Sequence, residues 1–158
     1  MEKSLRKHAL IYLSALLLVL LTDLYTKHLA ESHLRDKDIS LLPFLHLVLV
    51  YNKGVAFGLF ANAPDFIRVP LLILTPLIAL VLTFIYSMRV KDTTNSMLMG
   101  MVAGGALGNL YDRLFLGQVR DFIYLSYGSL SWPAFNMADA SISIAIFVLL
   151  LRGFFQKG

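Results

Sequence analysis

A chain of 158 residues that is 58% apolar and 15% charged, with a mean hydropathy of +0.71, carries too much hydrocarbon for a soluble domain of its length and reads as one integral membrane domain over 1–158. The absence of cysteine excludes disulfides, thiolate metal sites and cysteine nucleophiles. A net charge of +4 comes from fourteen Lys and Arg scattered between apolar segments, which suits a membrane surface and not the basic stripe of a nucleic-acid binder.

In chain order, the start MEKSLRKHALIYLSALLLVLL imitates a secretory signal peptide, but it lacks a small-x-small cleavage pattern and continues into TDLYTK. It therefore reads as a retained first membrane helix over 9–30, about 33 Å at 1.5 Å per residue. Asp23 and Lys27 lie four apart on one face near its far end, placed to satisfy each other. Residues 31–65 are too polar and irregular to span. Within them LHLVLVYNKGVAFGLF predicts a hairpin turning at Asn52-Lys53-Gly54. The second span is predicted over 69–86, with Pro70 and Pro76 as sources of a kink. A polar turn at 89–95 leads to a third span over 96–116, where Gly100, Gly104 and Gly108 repeat every four residues with Gly105 beside them. Small residues at that spacing let backbones approach, so this is expected to be the central packing helix. A second hairpin is predicted over 121–135 with its turn at Gly128-Ser129; Tyr124, Tyr127 and Trp132 suit a headgroup-level belt. The fourth span is predicted over 138–155, with Asp139 in its first turn, where the helix dipole favours a carboxylate.

Four spans put both termini on one side. Each side carries seven Lys and Arg, but those of the tails and the 89–95 turn sit in much shorter connections. Short-loop density is what the positive-inside rule weighs, so the termini are expected in the cytoplasm and both hairpins on the outer face. Asp23, Lys27, Asp112, Asp121 and Asp139 then gather at that outer boundary.

The chain holds no HExxH, GxSxG or Walker loop. Its four histidines lack ligand-like spacing and read as interface or loop residues, so no metal or other cofactor is expected. What remains is carboxylates. Asp121 and Asp139 each begin an element, and the hairpin between them can return the chain to its starting level. Two acids in contact can share one proton, one activating water while the other, protonated, polarises a carbonyl. Asp112, on one helix face with Asn109 and followed by Arg113, reads as a fixed ion pair or hydrogen-bond partner. The same acids also suit a magnesium-dependent lipid-headgroup transferase, a carboxylate-based proton or ion transporter, or a purely structural bundle.

The motifs carry a resemblance along essentially the whole chain. Asp23-Leu-Tyr-Thr-Lys27, Asn52-Lys-Gly54-Val-Ala-Phe57, Gly104-Gly-Ala-Leu-Gly-Asn109-Leu-Tyr-Asp112-Arg113, Val119-Arg-Asp121-Phe122 and Phe135-Asn136-Met-Ala-Asp139 stand in register with the five motifs of bacterial lipoprotein signal peptidase, signal peptidase II. The resemblance implies a four-helix membrane fold with a small extracytoplasmic β-cradle, in the bacterial inner membrane. It implies cleavage of a prolipoprotein just before its diacylglyceryl-modified cysteine by an Asp121/Asp139 dyad. Asn52, Gly54, Asn109, Arg113 and Asn136 would bind substrate or support the dyad, and Asp23, Lys27 and Asp112 would be mainly structural. The hairpins, with Phe57, Phe60 and Trp132, are expected to clamp the substrate. The enzyme is expected to act as a monomer.

Overall fold

The computed structural model describes residues 2–54, 60 and 62–155. Among these residues four helices, α1 (Glu2–His33), α2 (Asp65–Val90), α3 (Thr93–Leu116) and α4 (Met137–Phe155), contain the four segments predicted as spans. Also among the described residues, four strands, β1 (Ile39–Leu42), β2 (Leu45–Asn52), β3 (Val119–Tyr127) and β4 (Leu130–Phe135), fall in the two segments expected to be irregular or hairpin. Among the described residues three helices, α1, α2 and α4, are long and apolar enough to cross a membrane. The 24 residues of α3 reach about 36 Å, but glycine and polar side chains dilute its hydropathy.

Burial is inverted relative to a soluble domain. The largest fully buried side chains are Lys27, Asn136, Asp23, Asp112, Ser87 and Ser96, whereas Leu18, Leu82, Phe147 and Leu150 stand at least 60% exposed on the helix exteriors. Polar groups hidden and aliphatic groups outward is the distribution expected when the solvent is lipid.

The glycine stripe explains how α3 enters the middle of the bundle. A Cβ on Gly100 or Gly104 would run into the backbone carbonyls of Tyr12 and Leu16 on α1, and one on Gly105 would stand 2.7 Å from the carbonyl oxygen of Ala138 on α4. Without side chains there, the backbones close on one another and bury Tyr12, Leu16 and Ala103. Tyr12 is also tied to α2 through Thr83, with its phenol oxygen 2.9 Å from the threonine hydroxyl. Both prolines of α2 lie within one uninterrupted helix.

At the end of the bundle that holds the N-terminus, Nδ1 of His8 lies 3.2 Å from the Ser96 hydroxyl, which accepts from Ser87 at 2.8 Å. His8 is thus buried, and Ser96 gives its ring a polar partner. Arg152 of α4 donates to Asp92, the N-cap of α3, at 3.0 Å.

The strands lie at the opposite end and form one antiparallel sheet in the order β1-β2-β3-β4. The predicted second hairpin is present as β3 and β4, turning through Gly128 at φ 58°. Of the first, only the arm before the turn lies wholly within the described residues. Its arm before the turn, β2, pairs with β1 on one side and β3 on the other, while its predicted second arm falls largely on residues 55–59, outside the described residues. Four residues of β1, joined to β2 by a two-residue turn at Pro43-Phe44, give too short an alternation to read as a strand. The sheet packs on the end of α1 through Ala30, Leu34 and Phe122.

Candidate active site

Two local stops in the chain assemble the site. α3 ends at Gly117, whose φ of 73° lets its N–H return to the Arg113 carbonyl at 3.1 Å, and β3 starts two residues later. The chain therefore doubles back over the last turns of α3, bringing Arg120 and Asp121 above Asn109 and Asp112. α4 begins with a reciprocal cap: the Asn136 Oδ1 accepts from the Asp139 N–H at 2.9 Å, and an Asp139 carboxylate oxygen accepts from the Asn136 N–H at 3.3 Å. That cap fixes Asp139 at the helix entrance, where the dipole favours negative charge.

Asn136 also joins the two acids. Its side-chain nitrogen donates to Asp121 at 2.8 Å and lies 3.1 Å from Asn109 Oδ1 and 3.2 Å from the Arg120 carbonyl. Asn109 in turn donates to the second oxygen of Asp139 at 2.9 Å. Asp121 and Asp139 thus share one asparagine, and a second asparagine steadies Asp139 from α3. Asn52 approaches from β2: its Oδ1 accepts from the Gly54 N–H at 2.8 Å, and its side chain hydrogen-bonds Asp121. Arg113 donates to the Gly54 carbonyl at 3.3 Å and lies within electrostatic reach of Asp139, Asp121 and Asp112.

Burial, followed by the nearby charge of Asp139, pushes the Asp121 carboxyl up to about 7, against the opposing pull of hydrogen bonds from Asn52 and Asn136 and the charge of Lys27. Asp121 is therefore poised to hold or release a proton near neutrality.

Beneath the pair lies a fully buried charged layer. Lys27 sits 2.6 Å from Asp23 and 3.5 Å from Asp112, and it donates to Asn109 at 3.0 Å. All three charged side chains have no exposed surface. Asp23 accepts from the Ala138 N–H at 2.8 Å, a further tie between α1 and the start of α4. Its carboxylate rests on bare Gly108, where any Cβ would collide with it. Asp112 does not pair with adjacent Arg113; it takes a two-pronged bond from Arg120, at 2.8 and 3.1 Å, because the doubled-back chain puts that guanidinium over it. The second partner of Arg120, Glu31, is absent from the set of residues picked from the sequence. The signal that could have found Glu31 is its place four residues after Lys27, on the face already marked by Asp23.

An apolar cavity of about 240 Å³ opens beside Asp139, lined by Leu125, Trp132, Phe135, Ala140, Ser143 and Ile144. Among the described residues no three or more His, Asp or Glu side chains converge as a metal ion needs.

The model of a family described as signal peptidase (SPase) II matches residues 15–155. The chain belongs to the signal peptidase II family. The chain is 55% identical over 157 residues to the lipoprotein signal peptidase of Aquifex aeolicus (strain VF5), covering 99% of this chain and 93% of that one. It is 43% identical over 157 residues to the lipoprotein signal peptidase of Sulfurihydrogenibium sp. (strain YO3AOP1), covering 97% and 96%. A solved bacterial membrane enzyme, determined by the in meso method at 2.3 Å, superposes with a TM-score of 0.80 over 93% of this chain and 89% of that one, at 22% identity, which shows the shared fold. Signal peptidase II is a protease family, and the apolar helices make this member a multi-pass membrane protein.

Proposed function

We propose that the chain is an aspartic endopeptidase that releases the signal peptide of a prolipoprotein by cutting before its diacylglyceryl-modified cysteine. The observation that carries this reading is the meeting of Asp121 and Asp139 on Asn136. Asp139, at a helix entrance with two N–H donors on it and Arg113 nearby, is the ionised member; Asp121, pushed up to about 7, is the protonated one.

Asp139 takes a proton from a water as its oxygen attacks the scissile carbonyl carbon, and Asp121 gives its proton to the carbonyl oxygen. In the tetrahedral intermediate so formed, Asp139 passes its new proton to the amide nitrogen of the lipidated cysteine. The C–N bond breaks, Asp121 recovers a proton from the collapsing hydroxyl, and the pair is restored. No cofactor takes part. Asn109, Asn136 and Asn52 hold the acids, while Arg113 and Gly54 border the space where the peptide lies.

Four spans, cytoplasmic termini and a site at the outer boundary of the bacterial inner membrane suit such a substrate. Its acyl chains stay in lipid while the peptide bond meets water at the helix ends. A monomer suffices, since one chain supplies both acids. Phe60 and Trp132, each more than half exposed, are available to contact substrate; Phe57 lies outside the described residues.

The test is purified protein in micelles with a diacylglyceryl-modified precursor, following the released signal peptide by mass. Cleavage that persists in EDTA is the expected result; loss of cleavage in EDTA with recovery on magnesium overturns the metal-free dyad. Proton flux into liposomes without cleavage would favour the transporter alternative. A further expectation concerns pH. Because the reactive form carries its proton on Asp121, kcat/KM should fall about tenfold per unit as pH rises above about 7. A profile rising steadily through pH 9 would contradict the assignment of Asp121 as the acid.

A further inference from the structure

The face of the β2–β3 pair that looks away from the two acids carries its own cluster, which the proteolytic reading leaves unused. Tyr51 stands directly opposite Arg120 in the ladder, next to the pairs Asn52 with Val119 and Val50 with Asp121. Because side chains alternate along a strand, Tyr51 and Arg120 project to one face while Asn52 and Asp121 project to the other. Both back-face residues grip the same carboxylate: Tyr51 donates to one Glu31 oxygen at 3.0 Å and Arg120 to the other at 3.1 Å.

Every polar group of Arg120 is engaged. Its backbone N–H donates to Asp112 at 3.0 Å, its carbonyl accepts from Asn136 at 3.2 Å, and its guanidinium divides between Asp112 and Glu31. Asp112 alone already neutralises the arginine, so what Glu31 adds is geometry, joining both strands to the end of α1. The need for such a tie is visible in the ladder, whose register shifts between the pairs Leu47 with Ile123 and Val50 with Asp121, just after Asp121. A shift of one residue would turn Asp121 to the wrong face.

We propose that Glu31, Tyr51 and Arg120 form a positioning clamp that sets the β2–β3 register and thereby holds Asn52 and Asp121 in the geometry that cleavage requires, an inference that rests on the proteolytic reading. Glu31 and Tyr51 are the informative positions, because neither touches the acids and both are partly exposed, at 28% for the Glu31 side chain and 41% for Tyr51.

The experiment compares wild type, Glu31→Gln, Tyr51→Phe and Asp121→Asn in micelles, measuring kcat and KM on the lipidated precursor beside the thermal midpoint of each. Glu31→Gln should lower kcat about tenfold with KM within about twofold of wild type, and Tyr51→Phe should act in the same direction more weakly, the midpoints of both staying near wild type. Unchanged kcat in both variants overturns the clamp, as does a kcat that falls only in step with the folded fraction. If Glu31→Gln fails to fold, Tyr51→Phe decides alone. Cleavage by Asp121→Asn would instead overturn the dyad, so the two failures are told apart in one set of assays.

Discussion

Asp121→Asn and Asp139→Asn should each lower cleavage of a diacylglyceryl-modified precursor by at least about 10³-fold while the protein stays folded and membrane-inserted. The size follows from the roles. An amide in place of Asp121 can still be held by Asn136 and Asn52, but it has no acidic proton to deliver to the carbonyl oxygen. An amide in place of Asp139 cannot take a proton from water. Each change removes a carboxylate within electrostatic reach of Arg113, but Asp112 and the other acid remain to offset that guanidinium, and the loss of carboxylate repulsion offsets part of any lost hydrogen bond. The check is turnover beside thermal unfolding of the same preparations. Loss of activity together with collapse of the midpoint would mean that the acids hold the fold, and retained turnover in either variant would remove that acid from the chemistry.

Lys27→Met should be the most damaging single change to stability, on the order of 3–5 kcal/mol. Methionine nearly matches the lysine stem, so the cost is electrostatic. The ammonium is the common partner of Asp23 and Asp112, neither of which has any exposed surface, and it also anchors Asn109. Removing it leaves Asp23, among the described residues, with the Ala138 N–H, while Asp112 keeps Arg120. Pairing the change with Asp23→Asn should recover much of the loss, since the stranded charge then goes too. Midpoints of unfolding in detergent for the single and double variants measure this. A Lys27→Met protein within about 1 kcal/mol of wild type would mean that water reaches the layer.

Helix positions were largely legible because apolar runs of spanning length are a long signal, repeated over 18 or more residues, and the glycine stripe of α3 pointed to its central place. The β3–β4 hairpin was legible from its alternation and from Gly128. The joining of the strands into one sheet was not, because β1 is four residues long and the β2–β3 pairing links segments about seventy residues apart, a contact that no local pattern encodes. The same limit applies to the site. Spacing brought out Asp23 with Lys27 and the two acids at element starts, but the partner of Asp112 depends on a left-handed Gly117 that folds Arg120 back onto α3. His8 shows the reverse case: an ordinary position in sequence is a buried one in the bundle, where Ser96, itself bonded by Ser87, meets its ring.

The central claim is one proton held on Asp121 beside an ionised Asp139, and infrared difference spectroscopy across a pH titration measures it directly. A protonated-carboxyl C=O band that titrates with a midpoint near 7 and vanishes in Asp121→Asn is the predicted result. A spectrum without such a band, or a band that survives in Asp121→Asn and vanishes in Asp139→Asn, would contradict it.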